Sequence, residues 1–511
     1  MSFKIAFIGA GSLGFTRRLI ADLLAVPEFR DIEVAMNDIS ATNLDLVYQL
    51  CKRDIEANGL NIKILKTTDR REAVRGARYI FNTVRIGGLD AFIKDVDIPL
   101  KYGVDQCVGD TLCAGGISYG QRGVAFMLGL CKDIREVAEP DALLLNYANP
   151  NAMMTWAAIK YGKVNCVGLC HGVQGGRELI ARCLKIPAEE LDIICAGINH
   201  QTWYIKLRYK GEDMMPKVLE AMQNDEKIKS EGLEKARIDM LKHFGCFSTE
   251  SNGHLSEYLP WYRKNLSRMN RWTTLHGKEW GEGETRGCVR ACLEIRSLFE
   301  TEFSTWMAED PLVFTQENRS LEHGAYIIEG LEHGKTYRGH FNVMNNGIIS
   351  NLPDDCIIEA PGYVDALGIN IPMVGDLPVG CAAVCSASIW TQHLSVDAAV
   401  NGDVMLLRQA MMMDPLTGAC LDPDEIDQLV DELLVAQAEW LPQYADEIPK
   451  AKKRLADNYE EPRFVGFKGA LTSEEQTLEW KTSPIKAEQR EVSISEAVFG
   501  FKEKTRGAEK K

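Results

Sequence analysis

The chain has 511 residues, with 58 Lys+Arg against 73 Asp+Glu and a formal net charge of −15. Its 45% hydrophobic and 26% charged residues exclude whole-chain disorder and a small disulfide scaffold, and the length predicts two or three domains. The acidic balance counts against a nucleic-acid or anionic-membrane partner, though a locally basic pocket could still take a small anionic substrate.

In chain order, residues 4–8 read as a short buried strand, followed by Gly9-Ala10-Gly11-Ser12-Leu13-Gly14 and an amphipathic helix to about Leu24. Further strands are predicted at 32–36, 61–66, 78–84, 142–147 and from Cys166 to Leu169, with a helix from about Ala41 to Asn58. Strands alternating with helices predict an α/β fold with a parallel sheet. From about Ala196 the pattern changes. Strands at 203–209 and 356–360 and helical stretches at 215–243, 286–300 and 394–458 predict an α+β second domain. The expected division is residues 1–195, a Rossmann-type dinucleotide-binding domain, then 196–460, an α+β domain for substrate, metal and oligomerisation. Residues 461–511 form a polar extension whose end is expected to be disordered.

No stretch approaches the roughly 20 apolar residues of a membrane span. Met1-Ser2-Phe3-Lys4 runs into the first strand without a signal-peptide pattern, so the cytoplasm is the expected compartment. The 15 cysteines are then read as reduced thiols, most of them small core residues.

The glycine run has the context that a dinucleotide site needs, since it follows a strand, opens a helix and precedes an acidic residue ending the second strand. Gly9 makes the tight turn, Gly11 lets the backbone approach a pyrophosphate, and Gly14 lets helix and strand pack closely. The helix N-terminus at Ser12 and Leu13 faces the phosphate charge, and Asp38 can accept from the ribose hydroxyls. A carboxylate at 38 favours NAD over NADP; Arg17 and Arg18 nearby weigh the other way. On these features alone the chain reads as a nicotinamide-dependent dehydrogenase.

Four later stretches alter that reading: Asn146-Tyr147-Ala148-Asn149-Pro150, Gly168-Leu169-Cys170-His171-Gly172, Ala196-Gly197-Ile198-Asn199-His200, and Thr249 to Tyr258. Taken blandly, Cys170 is a buried thiol, His171 and His200 are hydrogen-bonded loop residues, and Tyr258 is a packing residue. The chain has no CxxC or HxxxH signature to force a metal site, although a thiolate and an imidazole would suit a borderline-soft divalent ion. Together these stretches resemble glycoside hydrolase family 4, the NAD- and divalent-metal-dependent glycosidases. GAGSLG at 9–14, NDIS at 37–40, VRIGG at 84–88, DTLCAGG at 110–116, NYANP at 146–150, GLCHG at 168–172, AGINH at 196–200 and GHLSEY at 253–258 carry the resemblance, with NNGIISNLP at 345–353 and MMMDP at 411–415 adding to it.

The resemblance implies a redox-assisted elimination and addition, outside the usual two-carboxylate scheme. NAD+ takes a hydride from C3 of the sugar, a base removes the acidified C2 proton, the glycosidic oxygen leaves, water adds at C1 and the hydride returns. It implies Cys170 and His200 as ligands of Mn2+ or another divalent cation, Asn149 near the sugar hydroxyls at C2 and C3, and Tyr258 as the base. His171 is a candidate general acid; His254 is a second candidate and a substrate contact. The Cys170-His171 pair resembles the non-phosphorylated branch, most closely its α-galactosidase members, although Gly172 stands where those members usually carry Ser. α-Glucuronides, α-galacturonides and sulfonated sugars are the alternatives. For an anionic sugar, Arg263, Lys264 and Arg286 are available as pocket cations, or are surface charge. The resemblance also implies a small carbohydrate substrate and a homodimer or homotetramer.

Overall fold

The computed structural model describes residues 3–274 and 280–462. The predicted disordered end of the 461–511 extension lies outside them. Six strands come first: β1 Lys4–Ile8, β2 Glu33–Asn37, β3 Lys63–Thr67, β4 Ala77–Asn82, β5 Leu143–Asn146 and β6 Asn165–Gly168. They pair in parallel in the order β3-β2-β1-β4-β5-β6, the dinucleotide-binding arrangement. Each predicted strand lies within two or three residues of an observed one.

The inner strands β1, β2, β4 and β5 read as apolar runs because both faces are largely buried, whereas the edge strand β3 is not. Along β1, Ile5 and Phe7 enter one core cluster, while Ala6 and Ile8 enter the other. Along β4, Tyr79 and Phe81 follow the first pair and Ile80 the second.

The sheet continues past β6. β7 (Leu191–Ile198), β8 (Gln201–Tyr209), β9 (Glu212–Asp213), β10 (Phe247–Ser248), β11 (Tyr337–Met344), β12 (Ile357–Asp365) and β13 (Gly368–Asn370) extend it, all in antiparallel pairs. The path runs β10-β8-β7-β12-β11-β6. Two joints in it rest on one residue pair each, Gly168 with Asn342 and Glu359 with Gly197. A Cβ on Gly168 would lie 2.1 Å from Asn151 Oδ1, and one on Gly197 would lie 2.5 Å from the Gln201 carbonyl oxygen. Only glycine fits at either joint.

The predicted helical stretch 394–458 is five helices rather than one. Val379–Asn401 ends at Gly402 in the left-handed conformation. Asp403 caps Val404–Met413, Thr417–Cys420 follows, and Asp422 opens Pro423–Ala436 with a reciprocal capping box to Glu425. Ile448–Asn458 is the last.

This C-terminal helical layer packs on the nucleotide half through buried polar links. Asp95 on helix Gly88–Lys101 holds Arg122 on helix Cys113–Val137 through two bonds of 2.6 and 2.9 Å, and Gln437 donates to Asp95 at 2.8 Å. Asp414 of the MMMDP run accepts from the Thr417 backbone at 2.8 Å and from the Cys113 N–H at 3.1 Å. Cys113 has φ +60°, a left-handed conformation rare outside glycine, so the Asp414 bond holds a strained residue two positions after Thr111.

Burial pushes the Asp414 carboxyl up to about 6, against the hydrogen bonds that lower it. The folded chain therefore keeps this proton between about pH 4 and 6, where the unfolded chain releases it, and stability falls as pH rises through that window. Relative to Asp414→Asn, the wild type should lose roughly 3 kcal/mol from pH 4 to pH 6 and show no further difference above it. Urea denaturation of both proteins across that range checks this; parallel curves would show that Asp414 is ionised when folded.

Candidate active site

The carboxyl ends of the parallel strands carry the first group of predicted residues. Gly9, at φ +90°, turns the chain after β1; its N–H donates to the Asn37 carbonyl oxygen at 3.0 Å. A Cβ there would lie 2.9 Å from the backbone of Thr83 after β4, so β1 and β4 close tightly at the crevice where strand order reverses. Helix Leu13–Leu24 starts at Leu13 and includes Gly14; Ser12 is its N-cap and makes no side-chain capping bond. Asp38 accepts from the Gly11 N–H at 2.9 Å through one oxygen and from the Ser40 N–H at 2.8 Å through the other. Each oxygen keeps a further lone pair. Ile39 beside it is 96% exposed and offers an apolar face next to the acidic group. This turn, helix end and carboxylate fit a dinucleotide.

The second group meets from four separate segments. Cys170 lies two residues past β6, at the N-terminus of helix Gly172–Leu184, and its Sγ accepts from the Gly172 N–H at 3.4 Å. His200 occupies the two-residue turn between β7 and β8 at φ +63°. Its Nε2 lies 3.1 Å from Cys170 Sγ. Glu250 has φ +67° and follows Thr249, which is pinned to Thr202 by a 2.8 Å backbone bond. Its Oε1 lies 3.8 Å from Cys170 Sγ and 4.0 Å from His200 Nε2. Non-glycine residues rarely hold φ above zero, so two strained positions at one point mark a site the fold over-determines.

The other ring nitrogen of His200 faces Thr111 Oγ1 at 3.1 Å, and that hydroxyl donates to Asp110 at 2.9 Å. The hydroxyl's proton is committed to Asp110, so His200 Nδ1 is the donor and Nε2 presents its lone pair to Cys170. Burial lowers the His200 pKa to about 4, which keeps the ring neutral, as a metal ligand must be. Burial and the charges of Glu250 and Glu359 push the Cys170 thiol well above its usual value. The thiol would ionise, releasing its proton to solvent, only with a cation beside it to stabilise the thiolate, and thiol, imidazole and carboxylate together fit a divalent one.

Tyr258 ends helix Asn252–Glu257, and its hydroxyl lies 3.3 Å from His254 Nε2. The opposite nitrogen of His254 is 3.6 Å from Glu250 Oε2. Burial disfavours the charged ring, but Glu250 and Glu257 outweigh it and raise the His254 pKa. Burial pushes the Tyr258 phenol well above its usual value. Asn149 donates to both oxygens of Asp110 at 3.2 Å, and Arg85 holds the same carboxylate at 3.1 Å.

The structure thus joins Asn149, Cys170, His200, His254 and Tyr258 in one cluster. His171 stands at its edge, with a half-exposed side chain 3.3 Å from Glu322. Sequence reasoning did not single out Glu250, Asp110, Thr111, Arg85 or Glu359. Glu359 carried a visible signal as the one acid in the run Ile357-Ile358-Glu359-Ala360; it is buried, accepts from Asn199 at 3.3 Å, and burial raises its pKa to about 8. Arg263 and Arg286 are not surface charge. Both are fully buried, Arg263 against Asp105 and Arg286 against Asp97.

The Thr111 hydroxyl orients a ligand without itself being one. Thr111→Val should weaken divalent-cation binding about 10- to 100-fold while the thermal melt stays near that of the wild type. Calorimetric titration checks this, and wild-type affinity in the variant would show that His200 is oriented without Thr111.

Comparison with known proteins agrees with both halves of this architecture. Residues 4–186 match the family model for family 4 glycosyl hydrolases, and 195–417 match the model for the C-terminal domain of family 4 glycosyl hydrolases. The chain is 53% identical over 496 residues to an alpha-galactosidase of Rhizobium meliloti (strain 1021), covering 97% of this chain and 99% of the relative. It is 30% identical to an alpha-galactosidase of Bacillus subtilis (strain 168), over 86% of this chain and 99% of that one. The solved structure of a 6-phospho-alpha-glucosidase from gut microorganisms, in complex with NAD and glucose-6-phosphate, superposes with a TM-score of 0.70 at 25% identity, over 86% of this chain and 99% of that one. With both domain models matched and the site assembled from the family's own motifs, the chain belongs to glycosyl hydrolase family 4 and is a glycosidase.

Proposed function

We propose that the protein cleaves non-phosphorylated α-galactosides, with NAD and Mn2+ or a similar divalent cation as its cofactors. The carrying observation is the 53% identity, across 97% of the chain, to an alpha-galactosidase. The local charges support an uncharged sugar in that Arg263 and Arg286 are each committed to a carboxylate of the chain itself. In this reading residues 1–195 hold the nucleotide, and 196–460 complete the cation and sugar sites.

A bound nicotinamide would supply the acceptor and donor for the C3 hydride, and a bound cation would supply positive charge to the sugar oxygens. The chain's own residues do the rest. Asn149, fixed by Asp110, orients the sugar hydroxyls at C2 and C3. Tyr258 Oη receives the C2 proton after passing its own to His254 Nε2 at 3.3 Å, and Glu250 steadies the resulting imidazolium through Nδ1. His171 donates to the leaving glycosidic oxygen from the edge of the site, held by Glu322. Gly9, Gly11, Ser12, Leu13, Gly14 and Asp38 hold the dinucleotide.

All 15 cysteines are free thiols, which supports a reducing, cytoplasmic setting; among the described residues no helix is long and apolar enough to cross a membrane. The exposed Val379, Trp390, Met405, Met412 and Met413 on two adjacent helices support self-association as a homodimer or homotetramer.

Incubation with an aryl α-galactoside, NAD+, Mn2+ and a thiol in D2O should release the aglycone, place deuterium at C2 of the sugar and accumulate no NADH. Steady NADH accumulation would instead identify a sugar dehydrogenase. Cys170→Ser should abolish turnover with the fold intact.

A further inference from the structure

The GLCHG run ends in Gly172, and the structure gives that glycine a specific neighbour. A Cβ built on Gly172 would lie 1.8 Å from Glu250 Oε1 and 3.5 Å from Cys170 Sγ. No side chain at 172 leaves the Glu250 carboxylate where it is. From the neighbouring distances we infer that Glu250 is a third protein ligand of the divalent cation, together with Cys170 and His200, and that Gly172 is the residue that admits it. This rests on the cation reading given above and adds to it a ligand and the space that ligand needs.

Three observations carry it. Cys170 Sγ, His200 Nε2 and Glu250 Oε1 form a triangle with edges of 3.1, 3.8 and 4.0 Å. Donors about 2.0–2.3 Å from one ion are about 3–4 Å apart. Among the described residues, these are the three Cys, His, Asp or Glu side chains whose donor atoms converge in this way.

The backbone is also set for it. Glu250 lies between the Thr249–Thr202 bond and Ser251, which caps helix Asn252–Glu257 by accepting from His254 N–H. Both flanks are fixed, and the left-handed φ between them turns the carboxylate into the site. The oxygen that does not face Cys170 has its own partner, His254 Nδ1, which fixes the carboxylate's rotation as outer partners of ligands do.

The donor chemistry gives the third ligand a purpose. A thiolate and an imidazole alone favour softer ions such as Zn2+, whereas a carboxylate oxygen moves the set toward Mn2+. Three ligands on one side leave further coordination positions for substrate oxygens.

The test is Mn2+ binding to the full-length chain without sugar, followed by the EPR signal of free Mn2+, with circular dichroism to confirm folding. Glu250→Gln should weaken Mn2+ binding at least about tenfold and shift the Mn2+/Zn2+ preference toward Zn2+. Gly172→Ser should weaken it comparably, because the serine displaces the carboxylate, and should add little in a Glu250→Gln background. If either single variant does not fold, the other carries the test. Wild-type Mn2+ affinity in the folded variants, with loss in Cys170→Ser, would overturn the assignment of Glu250 and leave the cation site standing. Wild-type affinity in Cys170→Ser as well would remove the cation from this site and overturn both readings. Losses that add fully in the double variant would show that Gly172 acts independently of Glu250, and would overturn its role here.

Discussion

The site depends on two strand joints that only glycine can make. At Gly168 the parallel sheet hands over to β11 through a single pair with Asn342, and at Gly197 the far strands rejoin through a single pair with Glu359. Asn342 and Glu359 are themselves partners across β11 and β12, so one row crosses the sheet through four residues. Cys170 follows two residues after one joint and His200 three after the other. A side chain at either glycine would collide with fixed groups, Asn151 Oδ1 in one case and the Gln201 carbonyl in the other. The cost would fall on the distance between Cys170 and His200 before it fell on the core. GLCHG and AGINH are thus strand joints as well as the segments that carry those two side chains.

Around those joints, the chain concentrates groups that only make sense together. Cys170 is partly buried beside carboxylates, and its thiol resists ionisation for that reason. His200 is kept neutral by burial and turned by Thr111. Asp110 receives Thr111, Asn149 and Arg85, so the residue that turns His200 and the amide of Asn149 share one anchor. Asp414, more than 300 residues later, holds Cys113 in a strained conformation beside that anchor. The C-terminal helices therefore set geometry within the site as well as covering it.

The sequence made the nucleotide half legible because the inner strands β1, β2, β4 and β5 are largely buried on both faces and read as apolar runs. β11 was not legible for the opposite reason, because Arg338, His340 and Asn342 interrupt it. β7 carries one charge, Asp192, in an otherwise apolar Leu191–Ile198, and went unpredicted. The long C-terminal helical stretch was visible as helix, but its breaks lie in Gly402, Asp403, Asp414 and Asp422, whose capping role appears only with their partners. Cys170 and His200 are 30 residues apart with no local spacing rule, and only the ordered set of motifs singled them out. Glu250 was hidden further. Its position depends on the missing side chain of Gly172, 78 residues away, and neither residue signals the other along the chain.

Arginine bookkeeping bears on substrate charge in the same physical terms. The sequence offers Arg263 and Arg286 as cations for an acidic sugar or as solvated surface, and the fold uses them as neither. Each guanidinium is fully buried and faces a carboxylate, Asp105 or Asp97. Pulling Arg263 toward a substrate anion would leave the fully buried Asp105 uncompensated, a loss of about 3–5 kcal/mol for a broken buried pair, whereas Asp97 opposite Arg286 keeps contact with solvent. Arg85 differs: its side chain is partly exposed, one nitrogen holds Asp110, and its Nη1 has no hydrogen-bond partner among the described residues. Arg263 and Arg286 are therefore spent on the fold itself, whereas Arg85 keeps a donor beyond the pair it makes with the anchor of Thr111 and Asn149.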